Sequence, residues 1–323
     1  MSRFTRPQSL RMTTGAILAV SALTLAGCSA TDPVEDDGII SVVASTSVYG
    51  DLVSTLGGDA VSVTNLIDSA AQDPHSYEAT ARDQLAVSRA ELVVLNGGGY
   101  DPFAEALFEA AGASAVLITA VDASGLLDDD PEHDESDDHA TDDGHDHIEG
   151  FNEHVWYSFT AIEHIAEHIT EELIAIDPAS SKEFDANLAA FLSEMDGLET
   201  QAEGLGDLAD DRSAVVTEPV AAYLLEATGL HNDTPTDFTE AIEEGSDVPP
   251  TALRDVLALI ESGNAAVLAY NEQTASSETE RVRLTAIATG LPVVSFTETL
   301  PEGSSYIEWM SSNLDALEAA LAE

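Results

Sequence analysis

Short apolar runs alternate with helix-patterned stretches along most of the chain, and this alternation limits the fold more than any other feature. Residues 39–44 (Ile-Ile-Ser-Val-Val-Ala), Val61–Ile67, Leu92–Leu95 and Ala115–Thr119 have the length and branched apolar content of buried strands. Val48–Leu56, Thr80–Ala90 and a stretch from Pro102 to about Ala111 read as helices, punctuated by Gly57-Gly58 and by Asn96-Gly97-Gly98-Gly99. The pattern then returns. Ala214–Val216, Ala266–Ala269 and Pro292–Phe296 read as strands, and Val220–Thr228, Thr251–Ser262, Glu278–Thr289 and Ser305–Ala322 as helices. Residues 232–250 are polar and read as a loop. Strand–helix alternation predicts parallel sheets flanked by helices. Its recurrence predicts an α/β chain of two similar lobes, residues 39–176 and 212–323.

Residues 177–211 between the lobes predict one long, rigid linking helix. Phe184, Leu188, Phe191, Leu192, Met195 and Leu198 give it an apolar stripe that extends to about Leu208. Ser180 followed by Glu183 resembles a capping box at its start. The preceding helix carries Ile162, Ile165, Ile169, Leu173 and Ile176 on one face and ends at Asp177-Pro178. His164 and His168 fall on its other face. Their spacing suits a surface metal pair, but two solvated histidines account for it more simply.

The charge narrows the function. The chain has 61 acidic residues against 10 Lys plus Arg, a formal net charge of −51. Such a surface repels nucleic acid and anionic lipid and attracts cations; it also suits solubility in a salty medium. At the N-terminus, Arg3, Arg6 and Arg11 precede a short apolar run, Gly15–Ala26, and then Leu25-Ala26-Gly27-Cys28. This arrangement resembles a lipoprotein leader (residues 1–27) with its lipobox. The resemblance implies lipidation of Cys28, a tether over 28–38, and an extracytoplasmic protein anchored to a bacterial cell membrane. The lone cysteine excludes an internal disulfide and a thiolate metal site.

Within 128–149 the chain is acidic and carries His133, His139, His145 and His147. Low hydrophobicity and high charge argue against a packed core there. The segment reads either as an accessory metal-collecting loop or as a spacer. Elsewhere His75, His154, Glu218 and Glu298 each follow a strand or start a helix in this scheme, two from each lobe. In open α/β sheets ligands gather at the carboxyl ends of strands. Two imidazoles and two carboxylates suit a divalent first-row metal, and the carboxylates cancel its charge. Spacing alone leaves open that these are ordinary polar loop residues.

Asp73-Pro74-His75-Ser76-Tyr77-Glu78, Asn96-Gly97-Gly98-Gly99-Tyr100, Glu153-His154-Val155-Trp156 and the histidine-rich insertion before the last of these resemble segments of the metal-binding solute receptors of bacterial zinc and manganese ABC importers. The resemblance runs from about Ile39 to Glu323. It implies two α/β lobes joined by one long helix, a metal ion between them, a membrane permease as partner, a monomer and no enzymatic activity. It puts His75 and His154 at the first two ligand positions. Glu218 falls where many members have a third histidine, and Glu298 where they have Asp; Glu272 is the rival for that last position. The histidine-rich loop favours zinc, Glu218 favours manganese, and zinc is the preferred reading. The alternatives are a surface adhesin or structural lipoprotein and a secreted metalloenzyme. No His-Glu-x-x-His helix or serine elbow supports the latter.

Overall fold

The computed structural model describes residues 38–322, except 70, 71, 73, 113, 128–147, 149, 210 and 211. Cys28, the leader, the tether up to residue 37 and the histidines at 133, 139, 145 and 147 lie outside the described residues. In chain order the first half forms β1 (Ile40–Thr46), α1 (Ser47–Gly57), β2 (Val61–Ile67), α2 (Ala81–Val87), β3 (Leu92–Leu95), α3 (Pro102–Ala111), β4 (Val116–Thr119) and α4 (Ala120–Ala123). Next come α5 (Phe159–Ile176), α6 (Ser181–Gly204) and α7 (Gly206–Ala209). The second half forms β5 (Ser213–Val216), α8 (Ala222–Ala227), β6 (His231–Asn232), α9 (Thr236–Glu243), α10 (Pro250–Ser262), β7 (Ala265–Asn271), α11 (Ser277–Thr289), β8 (Val293–Phe296) and α12 (Tyr306–Leu321).

The two four-stranded sheets have the same plan. One runs β2-β1-β3-β4 and the other β6-β5-β7-β8, with parallel pairing throughout. In each sheet the chain order reverses beside the first strand. Loops leaving β1 and β3, and those leaving β5 and β7, therefore diverge and open a crevice at the carboxyl ends. The central strands β3 and β5 are buried along their whole length, as a strand covered on both faces requires.

A single apolar core runs from the first sheet through α1, α5 and α6 into α12 and the second sheet. Separate clusters fill the outer faces, one under α2 and α3, the other under α9, α10 and α11. The long helix α6 buries Phe184, Phe191, Met195, Leu198 and Ala202 along one stripe. It touches α1 and α5 on one side and α8 and α12 on the other. Asn187 Nδ2 donates to Leu56 O at 2.9 Å and Gln201 Nε2 to Asp315 Oδ1 at 2.8 Å, so polar contacts tie it to both halves.

Local departures from the sequence reading have physical causes. The linking helix stops at Gly204 rather than about Leu208 and resumes as α7, because Gly204 and Gly206 flank Leu205 and glycine is a poor helix former. The capping box expected at Ser180 and Glu183 is absent. The Ser180 hydroxyl donates to Asp177 Oδ2 at 2.6 Å and caps nothing. A capping box does open α2, between Thr80 and Asp83. Residues 232–250 are not all loop: they hold the end of β6 and all of α9, whose Phe238, Ala241 and Ile242 are buried at helical spacing.

Candidate metal centre

The facing crevices bring together side chains from both halves. His75 stands in a short 3₁₀ turn, Pro74–Ser76, after β2. Its ring meets Tyr100 edge-on, with centroids 4.9 Å apart. Tyr100 is placed by the glycine run after β3. Gly97, Gly98 and Gly99 have φ of 78°, 65° and 90°, the left-handed region that side chains avoid. A Cβ on Gly97 would also lie 2.2 Å from Thr119 Cγ2. The buried Asp101 carboxylate accepts from Asn96 N at 2.7 Å and Gly97 N at 2.8 Å and so pins the loop.

His154 is buried, at the N-terminal edge of a 3₁₀ turn, Val155–Tyr157. Its Nδ1 lies 2.7 Å from Asn152 Oδ1. Asn152 Nδ2 donates to Pro219 O at 3.0 Å, which fixes the amide so that its oxygen faces the ring. An amide oxygen only accepts, so Nδ1 carries the proton and Nε2 keeps its lone pair for the cleft. Trp156 and Tyr100 wall the imidazole at centroid distances of 5.2 and 5.8 Å.

Glu218 follows β5 and Glu298 follows β8; both are buried. Asn271, the last residue of β7, joins them. Its amide donates to Glu218 Oε2 at 2.6 Å and to Glu298 Oε1 at 2.7 Å, one hydrogen to each carboxylate. Glu218 also accepts from the Thr274 hydroxyl, and Glu298 accepts from Tyr100 OH at 3.3 Å across the cleft. Burial first, then the Glu298 charge, raises the Tyr100 phenol well above its ordinary range, so it remains a donor at neutral pH.

Ligand atoms of His75, His154 and Glu298 lie within 4.8 Å of one another. Glu218 stands outside that triad, linked to it through Asn271. Glu272 is exposed and accepts from Ser295 Oγ at 2.9 Å, away from the histidines. His164 and His168 do not join the cleft. They line a separate groove of about 640 Å³ with Asp122, Glu167 and Glu171. His164 Nδ1 is held 3.0 Å from Ser124 O. Among the described residues no third ligand atom converges on this pair.

Sequence reasoning missed two carboxylates. Glu153 and Glu243 form a second close set with His75. Glu243 Oε1 lies 3.8 Å from His154 Nε2. Glu153 adjoins His154 within its motif, which gives it no ligand role of its own, and Glu243 sits on α9, within the stretch that reads as loop. Burial, then the charges of Glu153, Glu218, Glu298 and Glu240, push the Glu243 carboxyl up to about 9. A buried carboxylate cluster of this density is stabilised by a cation, and two imidazoles beside it select one that accepts nitrogen.

Two α/β halves with imidazoles and carboxylates gathered between their strand ends have the build of a solute receptor for a metal ion. The chain belongs to the family described as periplasmic zinc-uptake complex component A (ZnuA), whose model matches residues 42–320. It is similar to the iron ABC transporter substrate-binding lipoprotein MtsA of Streptococcus pyogenes, 24% identical over 96% of this chain and 97% of that one. It is also similar to the manganese-binding lipoprotein MntA of Halalkalibacterium halodurans, 29% identical over 66% of this chain and 67% of the relative. Among solved structures, the periplasmic zinc-binding protein TroA of Treponema pallidum superposes with a TM-score of 0.71 at 20% identity, over 88% of this chain and all of the other. The family consists of substrate-binding proteins of metal-importing ABC transporters and not of enzymes. No described helix is long and apolar enough to cross a membrane.

Proposed function

We propose that the chain is an extracytoplasmic receptor, anchored through a lipid on Cys28, that captures one divalent cation in the cleft and delivers it to an ABC permease. The carrying observation is the convergence of His75, His154 and Glu298, with Glu218 tied to Glu298 by Asn271. In this reading the two imidazoles and two carboxylates are the ligands. Zinc is the favoured ion and manganese the alternative. Imidazole donors suit zinc, and zinc stands above manganese in intrinsic affinity at mixed nitrogen and oxygen sites. The histidines at 133, 139, 145 and 147 then act as an accessory collector. Acid protonates the ligands, so affinity falls as pH drops through the histidine range.

The test is native mass spectrometry of the full chain in detergent with zinc and manganese offered together. Glu218→Gln and a form without Asp128–Glu149 run beside it. One tightly held zinc ion, retained without the loop, is expected. Manganese retained against zinc would overturn the preference. Tight binding of neither ion would overturn the four-ligand site and favour the adhesin reading.

A further inference from the structure

The donors in the cleft are not equally deep. His154, Glu218, Glu298 and Glu153 are each at most 4% exposed, whereas Glu243 is 15% exposed and His75 is also partly exposed. The two close donor sets, His75–His154–Glu298 and His75–Glu153–Glu243, share His75. One set is therefore mostly interior, while the other contains both donors that solvent reaches. They also adjoin, since Glu243 Oε1 is 3.8 Å from His154 Nε2. Glu243 Oε1 is buried and makes no hydrogen bond among the described residues. It is thus not held in place as Glu218 is by Asn271 and Thr274. It sits on the last residue of α9, an eight-residue helix packed on the outer side of the second sheet.

We propose that the cleft takes its ion in two steps: His75, Glu153 and Glu243 capture a divalent cation at the mouth, and the ion then moves inward, keeping His75 while His154, Glu218 and Glu298 replace the two mouth carboxylates. This rests on the proposed receptor function and adds an entry and exit station to it. The physical logic is electrostatic and kinetic. Stripping water from a divalent ion in one step costs far more than exchanging it ligand by ligand, and an oxygen donor that no hydrogen bond pins can turn toward an arriving ion and let it go again. A group that holds the ion only in passage lowers the barrier in both directions and leaves the end states nearly unchanged.

That asymmetry is the test. Zinc release from the full chain into excess fluorescent chelator is followed by stopped flow, and the equilibrium constant is measured by chelator competition. Glu243→Gln and Glu298→Gln are compared with the unaltered chain, and thermal unfolding of each metal-free form checks folding. For Glu243→Gln, capture and release are both expected to slow by about tenfold, with the Kd changed less than about threefold. Glu298→Gln is expected instead to weaken Kd and hasten release. Unchanged rates in Glu243→Gln would overturn the station. So would a Kd loss as large as that of Glu298→Gln, because Glu243 would then be a resident ligand. If Glu298→Gln alone leaves Kd intact, the inner ligand set fails, and the Glu243 rates still decide the mouth.

Discussion

His154, Glu218 and Glu298 are each aimed by a neighbour outside the proposed ligand set. Asn152 sets the tautomer of His154 while bonding Pro219 of the other half, and Asn271 divides its two amide hydrogens between Glu218 and Glu298. Asn152→Ala frees the ring and is expected to weaken zinc binding by about 10- to 100-fold, read by chelator competition, with the far-ultraviolet spectrum unchanged. Glu243 makes a pH prediction. Its carboxyl rises from 4.5 to about 9 in the folded chain. The folded state therefore binds more protons than the unfolded state between these values. Metal-free stability from this group is full below about pH 4.5 and is lost as pH rises toward 9. Thermal unfolding of the metal-free chain should show a fall in midpoint from pH 6 to 8.5 that is smaller in Glu243→Gln. An equal fall in both would contradict the assignment. That His75, His154, Glu218 and Glu298 gather in one cleft was legible because each is of a ligating type at a strand end or helix start. Asn271 and Asn152 were not, because their role lies in contacts between residues far apart in sequence.

At the scale of elements, strand and helix order was readable because the apolar periods were clean. What failed was where context overrides pattern. α9 offers only Phe238, Ala241 and Ile242 as an apolar face, too brief a signal among polar neighbours, yet tertiary burial makes it a helix. β6 has two residues and exists through its pairing with β5. At Ser180 the local sequence offered a capping box, and the nearer Asp177 carboxylate won the hydroxyl. The long helix α6 was legible from its stripe, and it is the element on which both halves depend. Phe191 is 2% exposed in the shared core. Truncating it leaves a cavity, so Phe191→Ala is expected to cost about 3–5 kcal/mol of stability. Because the core is continuous, denaturant unfolding should remain one transition. A separate early transition for either half would contradict that coupling.

For the whole molecule, the same strand order appears twice, and the reversal point of each sheet supplies one wall of the cleft. Hydrogen bonds then cross it: Tyr157 OH donates to Thr297 O at 2.7 Å, Tyr223 OH to Asn152 O at 2.9 Å and Leu300 N to Ser47 Oγ at 3.1 Å. α6 and α12 span both halves, so the proposed receptor is expected to admit and release its ion by movement of side chains and short elements such as α9 rather than by wide separation of the lobes. The net charge of −51 gives the surface a cation-attracting field at low salt, and the cleft gathers imidazole and carboxylate donors that suit a cation. In the proposed receptor the tightly held ion sits on His75, His154, Glu218 and Glu298. Extended X-ray absorption at the zinc edge, on the full chain loaded with one ion, tests it most directly. The expected result is a sulfur-free shell of two imidazoles with oxygens, Zn–N at about 2.0–2.1 Å. A shell of three or four imidazoles would put the ion on the histidine-rich segment instead, and an all-oxygen shell would remove His75 and His154 from the site.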